Sequence, residues 1–379
     1  MTSVPFAERG GAVRGLLDLA TGCYPAFLFG GPVGALPVFH FHEVTRAWLE
    51  PRLQYLVDNG YRTVTCQEIA RLVIDGVHPG PKSVALTFDD AWSSAWTVAT
   101  PLLRQMKLSG ILFAIPARIA DAPAPRPTID DPGGPGTSTR DIPGQAAQPV
   151  ASAFVTWPEL QAIHESGVFD VQSHTLSHAK IFCDAAVTNF VSPAYAAEPY
   201  LDRPLAPPNG SVKFIEPDAL GTPLYLRRSR MSDACRFLPD EGTAERCRRH
   251  VARNGGREFF DRPGWRAELD QLASGNGRFE TDDEREAAIL DEIQQGRALL
   301  SERLGATGIR HLALPWGIAG DITRRLLPDS GHLTAFAERP LHRRGVRAGD
   351  DRYGLMRLNS KFLMCLPGRG RQWFFTAVS

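Results

Sequence analysis

The chain has 379 residues, of which 43% are hydrophobic, enough to bury a large core in one domain or two. Its 42 basic and 42 acidic residues give a formal net charge of zero, so overall charge predicts no attraction to nucleic acid or to an anionic membrane. No apolar run reaches the length of about 18 residues that a transmembrane helix needs, and Asp18 interrupts the N-terminal apolar stretch. We therefore expect a cytoplasmic protein with no integral membrane segment and no secretory signal.

The six cysteines are scattered and form no CxxC pair, which argues against a structural zinc site or a dense disulfide framework. Reduced thiols are the expected state in a cytosolic protein. Cys235 and Cys247 are close enough in sequence that a local disulfide between them stays an alternative.

Residues 1–35 are Gly-rich and weakly patterned, and we interpret them as an N-terminal extension. Residues 36–379 are predicted to alternate between strands and helices and to form a single domain. Apolar runs predict strands at 36–41, 62–65, 83–88, 110–115, 169–172 and 311–314, with weaker ones near 334 and 355–358. Helical spacing predicts helices at 48–59, 96–106, 156–166, 284–304 and 321–327 and one that ends at Gly76. This alternation predicts an α/β fold with a parallel sheet.

Two stretches interrupt the alternation. Residues 121–149 are rich in Pro, Gly, Ala, Ser and Thr, which is typical of a loop or a disordered insert. Residues 184–281 are rich in Pro and Arg and contain short helical patterns near 246–251 and 265–273. We interpret this longer stretch as an insertion on the scaffold, where it would form a wall of the substrate cleft.

Polar side chains follow three of the predicted strands at the point where each strand ends. Asp89 and Asp90 follow strand 83–88, His174 follows strand 169–172, and Pro315-Trp316 follow strand 311–314. The C-terminal ends of parallel strands share one face of the fold, and active sites assemble on that face. We therefore expect these side chains to meet.

His174 and His178 are four residues apart, and one helical turn would place their imidazoles on one side, about 5–6 Å apart. Asp90 would complete a set of three metal ligands with open positions, and Asp89 would be free to act as a base. Two alternatives remain open at this point. A histidine pair with this spacing also occurs on exposed or core faces, and an Asp pair after a strand also caps helices.

The same residues resemble the motifs of the polysaccharide deacetylase family, the NodB-like carbohydrate esterases of family 4 type. Leu86-Thr87-Phe88-Asp89-Asp90 is similar to the first motif and Ser173-His174-Thr175-Leu176-Ser177-His178 to the second. Leu314-Pro315-Trp316-Gly317 resembles the third, and Phe41-His42-Glu43-Val44 an early Tyr-His segment. Apart from the two inserts, the resemblance extends over about 36–358.

The resemblance implies a distorted (β/α) barrel with a large insertion. It implies a metal-dependent hydrolase that removes acetyl groups from N-acetylated or O-acetylated sugars of a polysaccharide, a glycolipid or a sugar precursor. That activity falls among hydrolases acting on carbon–nitrogen bonds of linear amides. Asp89 would be the base, and Asp90, His174 and His178 would hold zinc, with cobalt or nickel as alternatives. The expected partner is an acetylated carbohydrate.

The resemblance also assigns supporting roles. The backbone N–H of Trp316, in the turn begun by Pro315, would bind the oxyanion. His42 would lie near the barrel mouth in contact with substrate. Thr175 would support the loop between the two histidines.

Two departures from the family pattern affect the proton path. The third motif of many members begins with an Arg that holds the base, and Ala313 stands at that position. The late histidine that serves as general acid has no clear counterpart, since His332 and His342 are the last histidines of the chain and neither follows a predicted strand. A catalytically silent carbohydrate-binding relative and an amide hydrolase for a non-sugar substrate are therefore the alternative functions.

Overall fold

The computed structural model describes residues 12–132, 134, 153–206, 212–273 and 276–378. Its strands are β1 Val38–Phe41, β2 Arg62–Thr63, β3 Ser83–Asp90, β4 Gly110–Ala114, β5 Phe169–Ser173, β6 Lys180–Phe190, β7 Pro223–Ser229, β8 Phe237–Pro239, β9 Gly277–Phe279, β10 His311–Ala313, β11 Thr334–Phe336 and β12 Leu358–Asn359. Its α-helices are α1 Ala12–Ala20, α2 Arg46–Asp58, α3 Cys66–Asp75, α4 Thr100–Gln105, α5 Trp157–Ser166, α6 Glu241–Arg253, α7 Trp265–Leu272, α8 Asp282–Leu304, α9 Asp321–Leu326 and α10 Phe374–Val378.

The main sheet is parallel and curled. Its strand order is β11-β10-β5-β4-β3-β1-β12, and β2 pairs with the start of β3. Phe336 of β11 also forms a parallel bridge to Leu355, just before β12, so this segment joins the two edges of the sheet. The expected distorted (β/α) barrel is confirmed.

Strand β3 lies in the main sheet between β4 and β1 and is buried along its whole length. Both faces of a parallel strand are covered, which explains why its sequence is an unbroken apolar run rather than an alternating one. The ring of Phe88 stacks on Phe41 at 4.7 Å between centroids and meets Phe169 edge to face at 5.2 Å. Burial of each such ring contributes roughly 1.5–3 kcal/mol, so the strand that delivers Asp89 and Asp90 is firmly held.

The helix predicted at 96–106 is irregular at its start. Residues Ala95–Ala99 form one π turn, and regular α-helix covers Thr100–Gln105. Pro101 has no N–H to donate to the preceding turn. The carbonyl of Thr97 accepts a hydrogen bond from the N–H of Ile129 instead, at 2.9 Å. The proline therefore accounts for the π turn within this helix, whose helical residues are 93–105.

The insertion at 184–281 has regular structure and an apolar core of its own. Strands β6 and β7 form an antiparallel pair, as do β8 and β9. Phe182, Tyr225 and Phe237 pack together inside it. At its base, Arg230 and Glu280 form a buried two-bond ion pair with N–O distances of 2.6 and 3.0 Å. This pair ties the end of β7 to the end of β9.

Part of the predicted N-terminal extension packs on the barrel. Helix α1 was not predicted, and its Asp18 is buried and paired with Arg344 at 2.9 Å. Residues 1–11 and most of the predicted insert at 121–149 lie outside the described residues. All six cysteines are free, so Cys235 and Cys247 form no disulfide. Within the described residues, no helix combines the length and apolar character needed to cross a bilayer.

Acid should destabilise the fold through His332, which is buried near the start of β11. Its Nδ1 lies 3.0 Å from Ser330 Oγ, and burial lowers its pKa to about 3, aided by the charge of Arg297. In the unfolded chain His332 binds a proton with a pKa near 6.5, whereas in the folded chain it stays neutral. The free energy of unfolding therefore falls as pH drops below 6.5. One such histidine lowers the free energy of unfolding by about 2 kcal/mol between pH 7.5 and pH 5.

We expect His332→Asn to reduce the loss of unfolding free energy between those two pH values by about that amount, measured by urea denaturation. Asn keeps a polar atom near Ser330 but does not titrate. His342→Asn is the matched control, because His342 is exposed. An unchanged pH dependence in the His332 variant would show that this imidazole is not held neutral by the fold.

Candidate metal centre

Three side chains from two strand ends converge on one point. Asp90 is the last residue of β3, and His174 follows β5 directly. Asp90 Oδ1 lies 3.3 Å from His174 Nε2 and 3.6 Å from His178 Nε2. One ligand atom from each residue lies within 4.8 Å of the others, and all three side chains are buried. This is the donor set of two imidazoles and one carboxylate that divalent transition metals use with open coordination positions.

The hydrogen bonds around these atoms leave their metal-facing sides free. Asp90 Oδ2 accepts from the indole N–H of Trp92 at 2.9 Å, whereas buried Oδ1 has no hydrogen-bond partner among the described residues. His174 Nδ1 lies 2.7 Å from the carbonyl oxygen of Ala313 and must donate its proton there, so Nε2 keeps its lone pair. An unpartnered buried carboxylate oxygen is costly unless a cation fills the gap. The residues present therefore fit a divalent metal.

The loop between the histidines differs from the helical turn that their spacing predicts. Residues 174–178 form no helix, and Thr175 and His178 have φ angles of 65° and 55°. The hydroxyl of Thr175 accepts a hydrogen bond from the backbone N–H of His178 at 3.2 Å. Two left-handed residues, and not a helical repeat, turn both imidazoles inward.

Helix α8 holds this loop from behind. The carboxylate of Glu292 accepts hydrogen bonds from the backbone N–H of Ser177 at 3.0 Å and from its hydroxyl. A Cβ on Gly296 would come within 2.6 Å of the backbone of Thr175, so only glycine lets the helix approach this closely. Burial raises the pKa of Glu292, although the Ser177 hydrogen bonds oppose that shift.

Backbone strain is concentrated at the same place. Among the described residues, nine other than glycine have positive φ, and five of them surround the site: Asp90, Ala91, Thr175, His178 and Trp316. Such conformations cost of order 1 kcal/mol or more each and persist where the surrounding structure enforces them. Their clustering indicates a functional constraint on side-chain direction.

Asp89 is held by an arginine that sequence analysis did not identify. Arg357 Nη1 and Nη2 donate to Asp89 Oδ1 and Oδ2 at 2.6 and 2.7 Å, and Nη1 also donates to Thr87 at 3.1 Å. Burial alone would raise the pKa of Asp89, but the charge and hydrogen bonds of Arg357 outweigh it and hold that pKa below its usual range. A guanidinium just before β12 thus takes the place left by Ala313.

Electrostatics keep Asp90 and His178 in states that suit metal binding. Burial would raise the pKa of Asp90, but the imidazoles of His174 and His178 beside it lower it to about 2. Burial lowers the pKa of His178 to about 3, so this imidazole is neutral at pH 7. Both an ionised carboxylate and a neutral imidazole are ligand forms.

The Pro315–Gly317 turn brings Trp316 against His178, one of the candidate ligands. The rings of Trp316 and His178 lie 4.1 Å apart at their centroids. The N–H groups of Gly317 and Ile318 bond within the turn, at 2.8 and 2.9 Å. Across the part of the chain that the structure describes, nothing accepts a hydrogen bond from the N–H of Trp316. Pro315 itself is buried in the turn and does not line the cavity.

The site opens into a cavity of about 690 Å³. Its walls come from the strand ends and from the insertion, which contributes Leu201 and Arg227. His40 and His42 also line it, with ring centroids 5.6 Å apart. Burial lowers the pKa of His40 to about 3, while His42 is exposed. The late histidines His332 and His342 are not among the lining residues.

Three supporting residues were missed, for different reasons. Arg357 lies 268 positions from Asp89, so nothing local links the two residues. Glu292 lies in a long helix that is rich in charged residues, where exposed carboxylates are the usual case. Trp92 was detectable, because an aromatic two residues after Asp90 at a tight turn can fold back onto that carboxylate.

Removing the indole N–H of Trp92 should loosen the metal site. Trp92→Phe keeps the ring that stacks on Phe154 at 4.6 Å but leaves Asp90 Oδ2 without its donor. We expect zinc affinity to fall about 10–100-fold, as for other hydrogen bonds to ligating residues, measured by competition with a chelator. Trp96→Phe is the control, since the indole N–H of Trp96 donates to the backbone carbonyl of Arg126 instead. Equal loss in both variants would contradict a specific role for Trp92.

Part of the chain matches a model of the family whose motifs it resembles. The family model described as polysaccharide deacetylase matches residues 76–198, which include Asp89 and all three candidate ligands. A protein of Bacillus subtilis (strain 168) named "Putative polysaccharide deacetylase YxkH" is 27% identical over 88 residues, 21% of this chain and 32% of that protein. The match therefore spans about a third of the relative's length.

One of the solved structures that match this chain resembles most of its fold. The BpsB deacetylase domain from Bordetella bronchiseptica aligns over 86% of this chain and 97% of its own, with 16% identity and a TM-score of 0.51. A de-N-acetylase from Aggregatibacter actinomycetemcomitans aligns over 89% and 97%, with 16% identity and a TM-score of 0.48. At this level of identity, the likeness to the BpsB domain shows a shared fold.

Proposed function

Because residues 76–198 carry the polysaccharide deacetylase family match, we propose that this chain is a metal-dependent hydrolase that removes acetyl groups from N-acetylated or O-acetylated sugars. The observation that carries the proposal is the unpartnered Oδ1 of Asp90 facing two imidazoles in a cavity that a carboxylate–guanidinium pair also lines. Hydrolysis of this kind needs a base and a metal ligand. Asp89, which Arg357 orients, can serve as the base, and Asp90, whose Oδ1 is unpartnered, can bind the metal.

Asp90, His174 and His178 would hold the metal, zinc in the first instance and cobalt or nickel as alternatives. A divalent cation bound there supplies Lewis acidity towards an acyl carbonyl and towards water. Asp89 takes the proton of the attacking water, because its fork of bonds to Arg357 fixes its oxygens and keeps it ionised.

The free backbone N–H of Trp316 donates to the oxyanion that forms when the carbonyl is attacked. That N–H has no acceptor within the described residues, which supports this role. Thr175 keeps the ligand loop in shape through its bond to the N–H of His178. Pro315 acts through the turn that it starts and not through direct contact with substrate.

His42 is the candidate proton donor to the leaving group. Four imidazoles line the cavity, and two of them belong to the ligand set. Burial leaves His40 neutral down to a pKa of about 3, so it cannot carry a proton at neutral pH. His42 is exposed and lines the cavity, where its imidazole faces the space that an amine or alkoxide leaving group would occupy.

The test is a screen for acetate release from acetylated oligosaccharides, glycolipids and nucleotide sugars, with zinc, cobalt or nickel added to metal-free protein. We expect release from at least one sugar class, and only in the metal-loaded protein. Metal binding without release from any of them would favour a silent carbohydrate-binding relative. Release confined to non-sugar amides would favour the other alternative. Either result would overturn the sugar deacetylase proposal.

A further inference from the structure

An exposed aromatic patch lies where the two ends of the described chain meet. Phe29, Trp373 and Phe375 expose 45%, 56% and 73% of their surfaces, and we call these three residues the terminal aromatic patch. The ring of buried Phe374 lies 4.9 Å from that of Phe29, and Trp373 packs over Gly30. The patch is therefore continuous across the two chain ends and anchored to the core by Phe374.

Helix α1 adds aliphatic surface beside it. Leu16 and Leu17 expose 66% and 41% of their surfaces. Gly15 of the same helix lies against the hydroxyl of Tyr24, whose ring is 5.5 Å from that of Phe374. A contiguous exposed apolar surface of this kind marks an interaction site, whereas scattered exposed hydrophobic residues do not.

The surroundings of the patch are cationic. Residues 359–379 contain Lys361, Arg369 and Arg371 and no acidic residue, and residues 19–42 contain no acidic residue either. The guanidinium of Arg371 lies 5.0 Å from the ring centroid of Trp373. In the described part of the chain, none of these three cations forms an ion pair with a carboxylate.

We propose that the terminal aromatic patch docks on the surface of an anionic lipid bilayer. Tryptophan and phenylalanine insert at headgroup level, and nearby Lys and Arg bind anionic lipid headgroups. A symmetric dimer would use the same patch on both copies and bring the two sets of cations together, which charge repulsion opposes. The zero net charge of the chain does not conflict with docking, since attraction acts over about one Debye length, roughly 8 Å.

Docking in this way leaves the candidate metal centre facing water. Asn59, at the C-terminal end of α2, accepts from the N–H of Arg369 at 2.6 Å and donates to its carbonyl at 3.2 Å. Helix α2 runs back from the end of β1, so its C-terminal end lies at the opposite end of the barrel from the cavity. Membrane docking and hydrolysis can therefore be measured separately.

The experiment is co-sedimentation of the full chain with phosphatidylcholine vesicles, with and without phosphatidylglycerol. We expect binding to the anionic vesicles only, weakened by high salt. Trp373→Ser combined with Phe375→Ser should reduce the partition coefficient at least about tenfold. Lys361→Gln and Arg369→Gln should reduce it about fivefold each. All of these side chains are at least partly exposed, so each variant should fold, which circular dichroism would verify.

Two matched control variants distinguish binding through the terminal aromatic patch from non-specific binding of exposed aromatic or cationic residues to vesicles. Phe279→Ser removes an aromatic residue with 46% exposure from the insertion, and Arg257→Gln removes an exposed cation there. Both should bind vesicles like the unchanged protein. Equal binding to neutral and anionic vesicles, no binding to either, or a dimer in solution that the Trp373 and Phe375 substitutions dissolve would each overturn the proposal.

Discussion

Replacing Asp90 with alanine should leave the protein without bound zinc and without acetate release. Asp90 Oδ1 lies between the two candidate ligand imidazoles, and it accepts no hydrogen bond from any residue that the structure describes. Loss of a hydrogen bond to a ligating residue already costs 10–100-fold in metal affinity, so loss of the ligand itself should cost more than about a hundredfold. Elemental analysis after dialysis and an acetate assay measure the two effects.

The control for this variant is Asp350→Ala. Asp350 is an exposed turn carboxylate that accepts a hydrogen bond from the N–H of Arg347 at 2.8 Å. That variant should keep its full metal content and activity. Unchanged metal content in the Asp90 variant would remove Asp90 from the ligand set. Loss of activity with metal retained would assign it to the reaction instead of to metal binding.

The sequence predicted the site through strand ends. Asp90 and His174 each follow an apolar run, and parallel pairing of β3 with β4 and of β4 with β5 brings those ends to one face. This step needs only the alternation of strands and helices, which is a local property of the chain. The predicted convergence therefore did not depend on knowing any long-range contact in advance.

The details of the ligand loop could not be predicted in the same way. Four-residue spacing is typical of one helical turn, but Thr175 and His178 adopt left-handed conformations that local propensity disfavours. Packing against Glu292 and Gly296 of α8 imposes them. Such strain is set by tertiary contacts more than 100 residues away, and no short window of sequence contains it.

The arginine that holds the base also depends on a long-range contact, which the sequence alone did not reveal. Ala313 stands where the family motif has Arg, which suggested an altered proton path. Arg357 reaches Asp89 from the segment that closes the barrel, and its guanidinium lies 5.6 Å from the ring of Phe336. A role lost at one position of the barrel can be restored from another segment, because the fold brings both segments to the same carboxylate.

Replacing Asp89 with asparagine tests the base directly and should separate chemistry from metal binding. The amide cannot take a proton from water, so kcat should fall about 10²–10⁴-fold, the range attributed to a positioned general base. Metal content should be unchanged, because Asp90, His174 and His178 remain in place. This pattern differs from that of Asp90→Ala, in which metal and activity are lost together.

The same substitution should also affect stability through Arg357. The guanidinium would stay buried against a neutral amide, and breaking a buried pair on one side costs about 3–5 kcal/mol. Arg357→Leu on its own would leave the Asp89 carboxylate buried without its cation, which raises its pKa and disfavours the ionised base. The double variant removes both charges and should therefore recover stability but not turnover. Full activity in Asp89→Asn, or recovery of turnover in the double variant, would show that the proton of the attacking water goes elsewhere.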